Sequence, residues 1–330
     1  LKLKSRETTW KEAFMASPGP RSKRAAMLLT LKGLCMGAAD TVPGVSGGTV
    51  ALITGIYEQL LAAIKSFDVK AAVRILSFDL KGAIAELHVR FLFSLLLGIG
   101  IAIFSLARLM KYLLQYQPVP TWSLFFGLIA ASIWAVGRKV ERWGPATGGM
   151  FGIGTVFAFF LVGMMPATTP ETLWFIFLSG MLAICAMILP GISGAFVLLI
   201  LGKYDFILSA VENPFLPRHL VILAVFMTGC AIGLAGFSRV LKYLLERFRP
   251  GTLAFLTGLM LGSMRKIWPW KEAAITELIH GKAVVLKESN MLPEIGPDLV
   301  LPIVLMITGF VAVVLLERLS EKGADQSLPR

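Results

Sequence analysis

The sequence has few of the residues that carry most chemistry in water-soluble enzymes. Among 330 residues it has three cysteines and three histidines. Cys35, Cys185 and Cys230 are odd in number, sit in apolar surroundings and lack CxxC spacing, so they read as buried thiols rather than disulfide partners or metal ligands. His88, His219 and His280 are isolated along the chain, and neither a metal site nor any other cofactor is expected. Charge is scarce as well, with 16% charged residues against 56% hydrophobic ones and a mean hydropathy of +0.76. That is too little polar surface for a soluble domain, so an integral membrane protein is expected.

The charge that is present is one-sided, with 32 Lys and Arg against 20 Asp and Glu, a net +12. It is spread over short loops without a basic helix or an aromatic-interleaved patch, so no nucleic-acid partner is expected. It reads instead as a topology signal. Apolar stretches at 91–110, 121–137, 148–165, 219–238, 251–264 and 299–316 approach the roughly 20 residues that a bilayer-spanning helix needs. Two longer apolar regions lie at 28–64 and 173–211.

Each of these longer regions holds one copy of a duplicated motif. Ala39-Asp-Thr-Val-Pro-Gly-Val-Ser-Gly-Gly48 matches Ala186-Met-Ile-Leu-Pro-Gly-Ile-Ser-Gly-Ala195. At the same offset, Val50, Leu52, Ile53, Gly55, Tyr57, Leu61 and Ala63 recur as Val197, Leu199, Ile200, Gly202, Tyr204, Leu208 and Ala210. Beyond a loop of different length, Gly98, Arg108, Lys111-Tyr-Leu-Leu114, Gly127 and Ser132 recur as Gly229, Arg239, Lys242-Tyr-Leu-Leu245, Gly258 and Ser263. Internal duplication in an apolar chain points to a transporter.

Positive-inside counting orients the copies. The basic segment 1–27 is expected in the cytoplasm, with no cleavable signal peptide, because the first apolar stretch already carries the motif. Region 28–64 enters and returns to a basic loop that carries Lys65, Lys70, Arg74, Lys81 and Arg90. Two helices complete repeat 1 (28–143), and a single linker helix (144–172) crosses to a loop without Lys or Arg. Repeat 2 (173–268) then begins from the opposite face and is expected to be inverted. An extracytoplasmic segment (269–298) and a final helix with a cytoplasmic tail (299–330) follow, placing both termini inside. The expected fold is an all-α integral membrane protein of inverted-topology repeats, each a broken or re-entrant hairpin plus two transmembrane helices.

Pro-Gly followed by Ser-Gly inside an apolar stretch breaks a helix. The freed backbone groups must then be buried in protein or line a wet cavity. The expected picture is two hairpin tips meeting near the membrane centre, with half-helices starting at Ser46 and Ser193 and presenting unpaired N–H groups to an anion. Candidate phosphate-binding residues are Gly44, Ser46, Gly47, Gly48 and Thr49 at one tip and Gly191, Ser193 and Gly194 at the other. The competing reading is a tight turn with a serine N-cap. Arg108 and Arg239, at equivalent positions, are either interfacial snorkellers or bidentate phosphate partners. Asp40, whose counterpart is Met187, is a candidate for proton or sodium coupling, or else an Asx cap of the turn. Glu58 and Asp205 keep acidity at one position in both copies and are candidate gating residues.

The string Gly37-Ala-Ala-Asp-Thr-Val-Pro-Gly-Val-Ser-Gly-Gly-Thr49 with Gly55-Ile-Tyr-Glu58, and Leu189-Pro-Gly-Ile-Ser-Gly194 with Gly202-Lys-Tyr-Asp205, resembles the polyprenyl-phosphate transporter family of the PopT type. The resemblance covers 28–318. It implies a flippase in the bacterial plasma membrane that returns undecaprenyl phosphate, a lipid carrier of cell-wall biogenesis, from the outer to the cytoplasmic leaflet. Two other readings stand beside it. The Pro-Gly-x-Ser turn is similar to that of integral undecaprenyl-pyrophosphate phosphatases, but Gly47 and Gly194 occupy the arginine position and the serines lack an evident base. A small-anion transporter or channel would use the same helix termini.

Overall fold

The computed structural model describes residues 9–41, 46–279 and 282–325. The first copy begins with α1 (Trp10–Ala16), which opens on a capping box between Thr9 and Glu12, and α2 (Lys23–Asp40), capped by Ser22. Then come α3 (Gly47–Ile53) and α4 (Tyr57–Lys65), bent by 116° at Thr54–Ile56. The basic loop that follows is itself folded, into α5 (Val69–Leu76) and α6 (Leu80–Glu86), N-capped by Asp68 and Asp79. Three longer helices complete the first half: α7 (Val89–Tyr116), α8 (Pro118–Gly137) and α9 (Pro145–Leu161).

The second half repeats this order without the small helices. Helix α10 (Leu173–Ile188) leads to α11 (Gly194–Ile200) and α12 (Tyr204–Glu212), bent by 112°. Helices α13 (Pro217–Arg247), α14 (Arg249–Ser263) and, after an insertion, α15 (Val300–Asp325) follow. Both bends turn on a glycine in the left-handed region, Gly55 at φ 72° and Gly202 at φ 62°, where a side chain would be strained.

Close backbone approach at glycine holds the helices in pairs. Gly33 and Gly37 of α2 lie against the backbone of Leu95 and Ile99 on α7, while Gly98 of α7 lies against Thr30 and Leu34. Gly180 of α10 meets Phe226 and Cys230 on α13, and Gly229 meets Phe177. Gly33 and Gly180, like Gly98 and Gly229, hold equivalent positions in the duplication, so one joint is built twice. Between helices in lipid, where apolar burial gives no driving force, such small-residue contact is what packs them.

The remaining pairs cross between the halves. Helix α9, which follows α8 in the chain, packs on α14 through Gly154, Gly258 and Gly262. Helix α15, which follows α14, packs on α8 through Gly127 and Gly309. The helix expected as a linker is therefore the counterpart of the last helix.

Among the described residues four helical stretches are long and apolar enough to cross a membrane: Val89–Leu106, Pro118–Gly137, Pro217–Arg247 and Pro297–Arg318. The number rises to six if each bent pair is one span. Helix α7 turns Phe93, Leu96, Leu97 and Phe104 outward, a surface that only lipid covers favourably. The chain is a multi-pass, mostly helical membrane protein.

Two features add to the expected outline. The segment 269–298 carries β1 (Lys271–Ile279) and β2 (Lys282–Asn290), paired antiparallel from Lys271↔Asn290 to Ile279↔Lys282, beside the helices. Two nine-residue runs separated by two residues are a hairpin pattern, which the mixed charge of the segment obscures. The basic N-terminal segment is tied to the start of α7. Buried Arg90 at the start of α7 donates to the carbonyls of Met15, Gly19 and Pro20, and Ser17 Oγ donates to Leu87 O.

Leucine at Gly98 or Gly229 would have to push a neighbouring helix backbone aside, an overpacking cost of about 1–3 kcal/mol. Gly100, with open space beside it, is the control. Thermal unfolding of the purified chain is expected to show lower midpoints for Gly98→Leu and Gly229→Leu and an unchanged one for Gly100→Leu. Equal midpoints for all three would remove the joint from the account.

Candidate functional site

The two duplicated turns touch each other. Helix α10 ends at Ile188, leaving its last carbonyls without intrahelical partners. The first copy supplies them. Ser46 Oγ donates to Met187 O (3.3 Å) and Leu189 O (3.2 Å), and the buried Tyr57 hydroxyl donates to Ile188 O (3.0 Å). In return Gly191 N–H donates to Thr49 Oγ1 (3.0 Å). Gly48 fits under Ile188 only because it lacks a side chain, since a Cβ there would stand 2.6 Å from the Ile188 carbonyl oxygen. Gly191 has φ +86° and packs against Met260 and Ser263 of α14.

Helix α3 begins where the sequence places it, with Ser46 as N-cap accepting from Gly48 N–H (3.1 Å). The expectation that its first N–H groups face an open cavity is corrected. Gly47 N–H donates to Asp40 Oδ1 at 2.7 Å, and Thr49 N–H donates to Ser46 O. Asp40, the last residue of α2, thus reaches across the break and seats a carboxylate oxygen at the start of α3. It caps α3. Gly44 lies outside the described residues.

The second turn is built differently. Ser193 occupies the N-cap position of α11 without a side-chain cap bond, and Gly194 packs on the Ala183 carbonyl. Met187 stands where the first copy has Asp40, so no carboxylate covers this terminus. Of two equivalent helix starts, one is closed by the protein's own anion and the other is uncapped among the described residues.

The charged candidates lie apart from the turns. Glu58 pairs with Arg249 at 2.7 Å, tying α4 to the start of α14; both are largely exposed, and such a pair contributes about 0–1 kcal/mol. Asp205 is exposed, and the counterpart of Arg249 is Pro118, so this link exists once. Arg108 is exposed on α7. Arg239 donates to Ala235 O of its own helix (2.6 Å) and lies near Asp68, whose carboxyl is held below its ordinary value first by the Ala71 N–H and to a lesser degree by Arg239. Among the described residues neither arginine bonds to either turn. Their placement supports snorkelling rather than a shared site with the serines.

Sequence reasoning missed two lysines that steady the bends. Lys32 Nζ donates to Thr54 O (2.7 Å), at the carbonyl end of α3. Buried Lys203 donates to Thr169 O (2.8 Å) and lies over the rings of Phe175 and Phe206. These lysines are not equivalents in the duplication, so the repeat comparison did not pair them.

Duplicated broken hairpins in mutual contact, carried on glycine-packed apolar helices, define a membrane protein of the transporter class. The chain belongs to the family described as VCA0040-like, undecaprenyl phosphate translocase-like, which it matches over residues 36–284, a span that contains both turns. It is 43% identical over 300 residues to a protein of Vibrio cholerae serotype O1 (strain ATCC 39315 / El Tor Inaba N16961) named polyprenyl-phosphate transporter, covering 88% of this chain and 96% of that one. A Staphylococcus aureus (strain NCTC 8325 / PS 47) protein of the same name is 30% identical over 266 residues, 72% of this chain and 85% of its own length. No solved structure matches the chain.

Thr49→Val removes the acceptor for the Gly191 N–H, and leaving a buried donor unpaired costs about 1–3 kcal/mol. Thermal unfolding is expected to place Thr49→Val well below the wild type and Thr49→Ser close to it. If valine and serine behave alike, this hydrogen bond does not hold the turns together.

Proposed function

We propose that this chain is a polyprenyl-phosphate translocase of the bacterial plasma membrane. On this reading it returns the lipid carrier, undecaprenyl phosphate or a close relative, from the outer to the cytoplasmic leaflet, and both of its termini are cytoplasmic. The names of its relatives support the substrate class. The observation that carries the mechanism is Asp40 on Gly47 N–H, an anionic oxygen seated at one turn by the protein itself.

The physical problem is the headgroup. A prenyl tail stays in lipid, whereas a bare phosphate in hydrocarbon is prohibitively costly. The turns, with Ser46, Gly47, Gly48 and Thr49 on one side and Gly191, Ser193 and Gly194 on the other, give it a polar path. A phosphate and the Asp40 carboxylate cannot share one N–H donor. Headgroup entry at the first turn therefore requires Asp40 to leave or to gain a proton or a sodium ion, and that exchange is the coupling step. The uncapped α11 receives the headgroup first. The two copies are inverted relative to each other, since an odd number of crossings (α7, α8 and α9) separates their hairpins, and each turn then faces one side of the membrane. Glu58, through Arg249, and Asp205 belong to the hairpin ends that move as access alternates.

The test is transbilayer movement of undecaprenyl phosphate in proteoliposomes, with released phosphate assayed in parallel. Movement without phosphate release is expected, dependent on a proton or sodium gradient. Asp40→Asn, which keeps an acceptor oxygen for Gly47, is expected to abolish that dependence, and the Ser46→Ala/Ser193→Ala pair to slow movement about tenfold, the scale of one lost charge-assisted hydrogen bond. Gradient-dependent movement in Asp40→Asn would remove its coupling role. Phosphate release without movement would make the protein an enzyme, and passage of inorganic phosphate alone would make it a small-anion carrier.

A further inference from the structure

A cavity of about 150 Å³ lies alongside α11, against Phe196, Leu199 and Ile200. One wall comes from three separate segments that the base of the β-hairpin brings together: Arg265 and Lys266 just after α14, Lys271 at the start of β1, and Glu288 and Asn290 at the end of β2. Lys266 and Lys271 both donate to the same carboxylate oxygen, Glu288 Oε2, at 3.3 and 3.1 Å. Arg265 lies over the Phe159 ring and donates to Phe159 O, and Asn290 Nδ2 donates to Arg265 O. Lys266 and Lys271 lie over Phe196 and Trp122, which fixes their directions.

Three cations and one carboxylate thus line the cavity, and two of the cations, Lys266 and Lys271, hold the carboxylate. The Lys271 side chain is only 9% exposed. Burial pushes its ammonium below the ordinary range while Glu288 draws it back up. Burial acts to raise Glu288, but the two lysines hold it below its ordinary value. The rest of the lining is largely apolar and includes Phe196 and Leu199 of α11 and Met164 and Met165, which are about half exposed. Positive charge set among hydrocarbon suits a phosphoryl oxygen joined to an apolar chain. Helix α11, about 10 Å long at seven residues, leads from this cavity to Ser193.

We infer that this cavity is a second binding site, an entry site for the phosphomonoester headgroup of an isoprenoid lipid, in which the phosphate displaces Glu288 from Lys266 and Lys271. The inference rests on the translocase reading above. Glu288 serves as an internal stand-in for the ligand at the mouth, as Asp40 does at the first turn.

The test uses the full chain in lipid nanodiscs, with a short-chain polyprenyl phosphate, the corresponding uncharged polyprenol and inorganic phosphate as separate probes. The Lys266→Gln/Lys271→Gln pair is expected to weaken polyprenyl-phosphate binding at least about tenfold, and Glu288→Gln to tighten it about threefold by removing the competitor. The gain in Glu288→Gln is the arm that a misfolded hairpin cannot mimic. Wild-type affinity in the double lysine variant, or a loss in both variants, overturns the entry site while leaving transport at the turns standing. Binding of inorganic phosphate through the lysines without binding of the lipid overturns the lipid assignment here and the translocase reading with it, and equal binding of the polyprenol does the same for the headgroup.

Discussion

A helix that breaks inside a bilayer leaves carbonyl and N–H groups that lipid cannot satisfy, and here the two breaks satisfy each other. The last carbonyls of α10 accept from Ser46 and Tyr57, and the N–H of Gly191 is taken by Thr49. Every one of these bonds runs between the copies. Much of the surrounding core follows from this contact. Tyr57, Leu61, Ile188 and Ile192 belong to the same buried cluster as Leu256, Leu259 and Met260 of α14. Gly48 is small because a side chain would force the turns apart, while side chains at 191 and 194 would meet α14 and α10.

Departures from symmetry mark the places where the copies have different tasks. Asp40 faces Gly47, whereas Met187 leaves α11 without a carboxylate. Arg249 anchors Glu58, and Pro118 leaves Asp205 without the same anchor. A symmetric pair of turns would hold an anion equally well on either side. On the translocase reading, a headgroup would meet a different competitor at each end of its path.

The duplication and the broken hairpins were legible in the sequence because identical residues recur at constant spacing and Pro-Gly has few uses inside an apolar run. Apposition of the turns was only partly legible. Equivalence in sequence says that two elements are alike, and it does not say which carbonyl one offers to the other. Arg108 and Arg239 illustrate the limit, since their equivalence suits interfacial snorkellers as well as a shared ligand, and one is exposed while the other bonds to its own helix. The occupant of Gly47 N–H was hidden because Asp40 reaches it from the end of the preceding helix, seven residues back in the chain. Arg265, Lys271 and Glu288 are separated along the chain and meet only through strand pairing, which no local motif announces.

The crossing of α9 onto α14 and of α15 onto α8 limits how the molecule can move. Each copy is completed by a helix that belongs in sequence to the other, and these joints are backbone-to-backbone contacts at Gly127, Gly154, Gly258 and Gly309. Rocking one half as a rigid body against the other would have to pry both joints open at once. The interlock makes the long helices a frame, and inside it the short ones, α3 and α4, α11 and α12, bend at Gly55 and Gly202. It also means that a single copy, folded alone, would expose an unmated glycine face along its α8-like helix and would need a second chain to cover it.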